Sequence, residues 1–250
     1  MAAGTDHLAG LYGDAAAGAL ALAAHACRAG HVSAPVWDLN FVSALGRGPD
    51  RFVLEVCRHS HAARVAVSGP SGIGKSLLLQ TISGLVRADR GYVRLSGETL
   101  QDTAQDIWRP PQQRRVGYMF QNYALFPHLT VAQNVAFGTR QGWLNPRRGE
   151  LDRQVTTWLD RLELSRVAGL YPHQISGGQA QRTALARTLM ASPRALLLDE
   201  PFAALDPSLR LALGAELLSV LDELSLPILL VTHDPAEAER LMDEVWALGT

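Results

Sequence analysis

The stretch "RVAVSGPSGIGKSLLL", residues 64–79, decides the fold. It starts as an apolar, β-branched run typical of a buried strand and ends in leucines at the start of a predicted helix. Between them, "GPSGIGKS" (69–76) fits G-x-x-x-x-G-K-[ST] in the strand-to-helix context that this pattern requires. Backbone N–H groups of such a loop and the positive end of the following helix bind phosphate oxygens. We therefore predict a nucleotide site, with Lys75 on the β- and γ-phosphates and Ser76 on Mg²⁺.

The segments around this loop predict an α/β fold. The helix after the loop is predicted over 75–86, with the apolar side chains of Leu77, Leu78, Ile82 and Leu85 on one side. Continuous apolar runs at 194–200 and 227–234 are typical of parallel strands buried on both faces. Further strand patterns are "VWDLNF" (36–41), "RFVLEV" (51–56), a hairpin around Gly97 and "RRVGYMFQ" (114–121), and helices are predicted within 123–191 and 207–224.

Composition narrows the class of protein. The 250 residues are 47% hydrophobic and 19% charged, enough for one large domain or two small ones. The net charge of −1 leaves no basic excess for holding a nucleic-acid backbone. Cys27 and Cys57 have no metal-ligand spacing, and no apolar run reaches the length of a membrane span, so any membrane role is peripheral. Residues 1–35 are predicted to be an extension, either a marginal helix or poorly structured, before a domain over 36–250.

Acidic and polar residues follow the predicted parallel strands. The strand "ALLLDE" ends in Asp199 and Glu200, which places both carboxylates at the carboxyl edge of the sheet, where ligands bind in open α/β folds. Behind a phosphate loop, Asp199 would hold Mg²⁺ through water and Glu200 would activate the attacking water. His233 and Gln121 end two other strands. His233 lies where a γ-phosphate sensor would be, and the Gln121 amide lies where it could bind the metal or the water. Taken singly, each of these residues is equally explained as an ordinary polar strand end.

A second predicted helix start, "SGGQAQR" (176–182), also suits an anion. Ser176 is expected to be its N-cap, followed by glycine N–H groups and the helix dipole. It has no lysine and no preceding apolar strand, so it is not a second phosphate loop of the same kind. An ordinary loop-to-helix transition remains the alternative.

Together these motifs resemble the ATP-binding subunits of ABC transporters. They occur in that family's order and spacing over roughly residues 60–245: the P-loop (69–76), Gln121, "ISGGQ" (175–179), "LLLDEP" (196–201), "AALD" (203–206) and "VTHD" (231–234). Ile175 replaces the usual leucine of the signature. The resemblance implies a P-loop NTPase of the ABC type, with a RecA-like, mostly parallel sheet, an antiparallel β edge and a helical subdomain at about 123–191.

The resemblance also implies a head-to-tail dimer, in which the signature of one subunit closes on the ATP held by the other. The cofactors implied are ATP and Mg²⁺. The catalytic residues implied are Glu200, His233 and Gln121, and the metal-binding residues are Ser76, Gln121 and Asp199. The nucleotide-binding residues implied are Gly69, Pro70, Ser71, Gly72, Ile73, Gly74, Lys75, Ser76, Leu77, Ser176, Gly177, Gly178, Gln179 and, in the family's D-loop, Asp206.

Within the family, the segment 114–138 is similar to importer subunits for molybdate, sulfate, iron and polyamines, and "LNF" followed by "LG" is most similar to the molybdate ATPase. This implies a homodimer on the cytoplasmic face of the plasma membrane, with permease subunits as partners, a substrate-binding protein as an indirect one, and no nucleic acid. One alternative is a soluble ABC ATPase acting on nucleic acid or in translation, but only 54 residues separate Gln121 from Ser176, too few for a coiled-coil arm. The other alternative is a non-hydrolysing regulatory subunit, which the presence of both Glu200 and His233 disfavours.

Two departures from the family stand out. The aromatic residue that usually stacks on adenine is missing from "ALGRGP" (44–49), which leaves Phe41 or Phe52 as the substitute. The sequence ends at "EVWALGT", so no C-terminal regulatory domain is expected in it.

Overall fold

The computed structural model describes residues 34–46, 51–138, 152–203, 214, 219, 220, 222, 223 and 225–249. Three predictions lie wholly or mostly outside these residues: the N-terminal extension, Asp206, and the helix within 207–224. The described strands are β1 (Trp37–Leu45), β2 (Phe52–Ser60), β3 (Arg64–Ser68), β4 (Arg90–Leu95), β5 (Glu98–Asp102), β6 (Ile107–Trp108), β7 (Val116–Met119), β8 (Ala195–Asp199), β9 (Ile228–Val231) and β10 (Glu244–Ala247).

The helices surround and connect these strands. They are α1 (Lys75–Ser83), α2 (Pro111–Arg114), α3 (Val131–Phe137), α4 (Arg153–Arg161), α5 (Gly177–Met190) and α6 (Pro235–Leu241), with short 3₁₀ helices at Ser165–Val167 and Pro172–Gln174. In the part of the chain that the structure describes, no helix is both long enough and apolar enough to cross a membrane.

The strands form two sheets. One is entirely parallel, in the order β10-β3-β9-β8-β7, and the other is antiparallel, in the order β2-β1-β4-β5-β6. Every residue of β8 and β9 is buried, as their continuous apolar sequences predict. The α/β fold class is therefore confirmed, and its antiparallel part is a five-stranded sheet of its own.

Apolar side chains of the parallel strands point alternately into two cores. Leu197 and Leu229 join the core that α1 shares with the antiparallel sheet, whereas Leu196 and Leu230 join the core under α3, α4 and α5. Fully burying one such leucine contributes roughly 1.5–3 kcal/mol. The central strands, and with them the residues at their carboxyl ends, are therefore held from both sides.

Helix α1 is shorter than the sequence predicts. It ends at Ser83, because Gly84 adopts the left-handed conformation (φ 84°) and caps it. The buried guanidinium of Arg114 lies beside Gly84 and donates to the carbonyl oxygens of Thr81 and Ile82, both at 2.8 Å. A Cβ at Gly84 would lie 2.5 Å from Arg114 Nε. The prediction that Leu85 belongs to the apolar face of this helix is wrong: Leu85 follows the helix and is 52% exposed.

No strand occurs among the described residues between β7 and β8. Helices α3 and α4 both contact α5 and each other, and they share a core with one face of the parallel sheet. At the start of α5, Ser176 and Gly177 are exposed, whereas its later residues Ala184, Leu185 and Leu189 are buried in that core. That the stretch from about 123 to 191 is a subdomain remains a prediction.

Candidate nucleotide-hydrolysis site

The loop between β3 and α1 lies at the carboxyl end of the parallel sheet. Its last glycine, Gly74, has φ 98° and is the N-cap of α1. A Cβ there would lie 3.0 Å from the ring of Phe52, and a Cβ on Gly69 would lie 2.7 Å from the carbonyl oxygen of Leu248. The left-handed backbone and these close approaches explain why the loop needs glycine at both positions.

Lys75 and Ser76 begin α1 with their side chains directed to the loop and the sheet edge. The Lys75 side chain is almost fully buried, and its ammonium donates to the carbonyl oxygens of Gly69 (2.8 Å) and Pro70 (2.9 Å). The Ser76 hydroxyl donates to Asp199 Oδ1 at 3.2 Å. The Leu77 side chain is buried in the core, so only its backbone N–H is available to a phosphate.

Asp199 ends β8 and accepts a hydrogen bond at each carboxylate oxygen. Besides the Ser76 bond, Oδ2 accepts from the Tyr118 hydroxyl at 3.0 Å. Burial raises the pKa of the Asp199 carboxyl, whereas the hydrogen bonds from Ser76 and Tyr118 act to lower it. Burial, and secondarily the charge of Asp199, raise the pKa of the Tyr118 phenol, so its hydroxyl stays protonated and donates.

Three predicted catalytic residues meet at one carboxylate oxygen. Glu200 Oε2 lies 3.3 Å from His233 Nδ1 and 3.4 Å from Gln121 Nε2. Glu200 follows β8 with φ 45°, a left-handed conformation that is uncommon outside glycine, and its N–H donates to Val231 O at 2.9 Å. The strained backbone turns the Glu200 side chain toward the ends of the neighbouring strands, whereas Asp199 points to α1.

The predicted signature residues lie at the start of α5, and Ser176 is its N-cap as the sequence predicts. The Ser176 hydroxyl accepts from the Gln179 N–H at 3.3 Å, and the Gln179 side chain accepts from the Ser176 N–H at 3.0 Å. These hydrogen bonds stay within the first turn and do not reach the P-loop. Ser176 and Gly177 are exposed, Gly178 is buried, and Ile175 packs against the helical core.

The two candidates for an adenine-stacking aromatic differ sharply in position. Phe41 is only 1% exposed, in the core between the antiparallel sheet and α1, so it is not available to a ligand. Phe52 is 37% exposed and lies against Gly74 of the P-loop. Its neighbour in sequence, Val53, is also exposed, which gives this end of β2 an apolar surface.

The family model for the ABC transporter matches residues 58–203, more than half of the chain. The chain belongs to the ABC transporter family. The resemblance noted from the motifs is thereby confirmed, and the matched span contains the P-loop, Gln121, the start of α5 and both carboxylates at the end of β8.

Curated members of this family that are similar to the chain include import ATP-binding proteins. The sulfate/thiosulfate import ATP-binding protein of Caulobacter vibrioides is 46% identical over 188 residues, which are 74% of this chain and 53% of that protein. The molybdate/tungstate import ATP-binding protein of Archaeoglobus fulgidus is 45% identical over 177 residues, 71% of this chain and 70% of that protein. The chain spans about half the length of the sulfate/thiosulfate relatives that it matches.

Solved ATP-binding cassettes share the fold. A dimeric cassette in a post-hydrolysis state, bound to ADP and Pi, superposes with a TM-score of 0.68 at 28% identity, covering 85% of this chain and 93% of that one. A second dimeric structure of a bacterial ABC transporter cassette gives the same values.

The residues of this ABC cassette fit a magnesium nucleotide. Mg²⁺ prefers oxygen ligands and retains several waters, and the Ser76 hydroxyl and Asp199 carboxylate present such oxygens beside the P-loop. The third predicted metal ligand, Gln121, has its amide nitrogen toward Glu200, so its carbonyl oxygen is the atom that remains for a metal. Lys75 supplies the fixed positive charge that a triphosphate requires.

Sequence reasoning missed Tyr118. Its position was part of a predicted strand, but nothing in "RRVGYMFQ" shows which neighbouring strand it faces. The pairing of Tyr118 with Leu197 in the β7–β8 ladder decides this, because Asp199 lies two residues farther along the same face. The tyrosine near the end of that strand is a signal only once β7 is known to lie beside the strand that ends in Asp199.

Proposed function

We propose that the chain is the ATP-hydrolysing subunit of an ABC importer. The observation that carries this proposal is the convergence of Gln121, Glu200 and His233 at one carboxylate oxygen, beside an Asp199 that is bonded to the P-loop serine. A phosphate loop alone supports only nucleotide binding. A carboxylate held between a histidine and an amide, next to a metal-binding pair, supports hydrolysis.

In the proposed reaction, the P-loop N–H groups and Lys75 bind the phosphates, and Ser76 and Asp199 hold the metal. When bound, Mg²⁺ neutralises charge on the phosphates and orients the γ-phosphate. Glu200 accepts a proton from the attacking water, and His233 and Gln121 orient Glu200 and the γ-phosphate. Phe52 stacks on the adenine, since Phe41 is enclosed in the core.

The site is completed by a second copy of the chain. Ser176, Gly177, Gly178 and Gln179 would bind the γ-phosphate held by the P-loop of the partner, and Asp206 would contact the interface. Support comes from the exposed, capped start of α5 and from the dimeric assemblies of the similar cassettes. A helix N-terminus offers unpaired N–H groups and a positive dipole end, which suit a developing anion.

We further propose that the dimer acts at the cytoplasmic face of the plasma membrane, with permease subunits as direct partners and a substrate-binding protein as an indirect one. The transported substrate is a tetrahedral oxyanion, molybdate or sulfate. The support is the naming of similar proteins as sulfate/thiosulfate and molybdate/tungstate import subunits. The net charge of −1 gives no support to a nucleic-acid partner.

Two measurements test this function. Purified protein should hydrolyse ATP in a Mg²⁺-dependent reaction, and cells lacking it should lose uptake of labelled molybdate or sulfate, restored by the wild-type chain but not by Glu200→Gln. Hydrolysis that required DNA or ribosomes, with unchanged oxyanion uptake, would instead support the soluble ATPase alternative.

A further inference from the structure

Tyr118 occupies a fixed place beneath the P-loop helix. It belongs to β7, next to β8, and its side chain is on the same sheet face as Leu197 and Asp199. The ring packs in the core shared with α1, and its centroid is 4.3 Å from that of Phe120. This packing leaves the Tyr118 hydroxyl little freedom to move away from Asp199.

The Tyr118 hydroxyl and the Ser76 hydroxyl bind opposite oxygens of one carboxylate. Tyr118 donates to Oδ2 at 3.0 Å and Ser76 donates to Oδ1 at 3.2 Å. A carboxylate held at both oxygens cannot rotate about its Cβ–Cγ bond without losing a hydrogen bond. Of the two donors, Tyr118 comes from a strand and Ser76 from the P-loop helix, so Asp199 joins two separate elements.

We propose that Tyr118 is a positioning residue for the divalent cation, and that its hydroxyl holds Asp199 Oδ2 so that Oδ1 faces Ser76 and the metal. This inference rests on the proposed function, because it concerns the metal of that same site. Tyr118 itself touches neither metal nor nucleotide. Groups that orient a metal-binding carboxylate in this way affect metal affinity by about 10- to 100-fold when they are removed.

The test measures metal binding without hydrolysis. Mn²⁺ is titrated into the complex of the whole protein with ADP, and the disappearance of the free-Mn²⁺ signal in electron paramagnetic resonance gives the affinity. Tyr118→Phe keeps the ring but removes the hydroxyl, and it should weaken Mn²⁺ binding by about tenfold. Affinity for ADP in EDTA should stay within about twofold of wild type, because the substitution removes no contact with the nucleotide.

Tyr123→Phe is the matched control. The Tyr123 hydroxyl donates to the carbonyl oxygen of Pro201 at 3.3 Å and not to Asp199, so the same chemical change should leave Mn²⁺ affinity unaltered. Tyr118→Met is a second variant without a hydroxyl, and it should shift Mn²⁺ affinity as Tyr118→Phe does. In an Asp199→Asn background, Tyr118→Phe should cause no further loss.

The outcomes separate the positioning role from packing. Mn²⁺ affinity equal to wild type in both folded Tyr118 variants would overturn the inference. So would a fall in ADP affinity in EDTA as large as the fall in Mn²⁺ affinity, since that identifies a loss of structure. If wild-type protein binds Mn²⁺ and ADP but does not hydrolyse ATP, the proposed function fails while the Mn²⁺ comparison still stands.

Discussion

Within the part of the chain that the structure describes, the starts of α1 and α5 are both suited to phosphate, and they differ in how their polar groups are used. At α1, Lys75 and Ser76 bond to the P-loop carbonyls and to Asp199, which belongs to a different element of the chain. At α5, Ser176 and Gln179 bond to each other, and Ser176 and Gly177 are exposed. The first is a site assembled from several parts of one chain, whereas the second is a helix start that, in the proposed function, binds a phosphate held by a second copy of the chain.

The proposed catalytic groups belong to the first of these regions. Within the described residues, the carboxylate, histidine and amide cluster lies at the end of the parallel sheet with the P-loop, and the capping hydrogen bonds of α5 remain separate from it. Substitutions in the α1 region should therefore impair ATP binding or ATP hydrolysis. Substitutions at the start of α5 should impair only the hydrolysis step, which needs a second copy of the chain.

The largest effect is expected from Glu200→Gln. Removing the general base should lower the rate of ATP hydrolysis by about 10²- to 10⁴-fold, while ATP binding remains. Single-turnover hydrolysis and equilibrium binding of labelled ATP measure the two separately, and size-exclusion chromatography with ATP should show an accumulated dimer. A variant hydrolysing ATP at the wild-type rate would remove Glu200 from the base role.

Ser176→Arg tests the α5 region in the same two assays. Hydrolysis should fall by about 10²- to 10³-fold, as expected when one donor to a developing anion is removed, with ATP binding to the monomer retained. Ser176→Thr keeps the capping oxygen and serves as control. If ATP binding were lost together with hydrolysis, α5 would be serving the nucleotide of its own chain.

Arg187 links α5 to the segment that follows Gln121, because it lies on α5 and donates to the carbonyl oxygens of Tyr123 and Ala124, each at 2.7 Å. Both residues have left-handed backbones, close after Gln121. Arg187→Met should lower the free energy of unfolding by about 3 kcal/mol, since it leaves two carbonyls without a charged donor. Urea denaturation measures the free energy of unfolding of this variant and of Arg187→Lys, which can keep one hydrogen bond and should lose less stability. Equal stability of Arg187→Met and wild type would show that α5 does not depend on this contact.

Phe52→Ala should have the smallest effect, confined to the α1 region. Loss of stacking on the base should weaken ATP binding by about 5- to 10-fold, which corresponds to about 1–1.4 kcal/mol, the lower end of the range for a base stacked on an aromatic ring. Phe52→Tyr should bind ATP as the wild type does. Val53→Ala alters the adjacent exposed apolar residue and is a second control. Fluorescence titration with ATP should show weaker binding in Phe52→Ala than in Phe52→Tyr or Val53→Ala. Equal losses of ATP affinity in Phe52→Ala and Val53→Ala would argue against stacking.

The same two regions show how far the sequence leads. The parallel sheet and the P-loop were predictable, because continuous apolar runs and the glycine pattern are local signals. The cap at Ser176 was predictable for the same reason. Local signals also predicted that Asp199, Glu200, His233 and Gln121 end strands, and that such ends meet at one edge of the sheet.

Contacts between distant elements were not predictable from local patterns. The end of α1 at Ser83 depends on Arg114, which comes from α2 and occupies the space beside Gly84. The bond from Tyr118 to Asp199 depends on which strands are neighbours. The choice between Phe41 and Phe52 depends on burial, which the alternation of one strand does not determine on its own.

One mixing experiment tests the division of the site between two chains most directly. Lys75→Ala, with a defective P-loop, and Ser176→Arg, with a defective α5 start, are each inactive in single-turnover ATP hydrolysis on our account. In a head-to-tail dimer, a mixed pair has one composite site with both defects and one with neither, so an equal mixture should recover about a quarter of the wild-type activity if dimers form at random. Activity of the mixture no higher than that of the two variants measured apart would contradict the shared site.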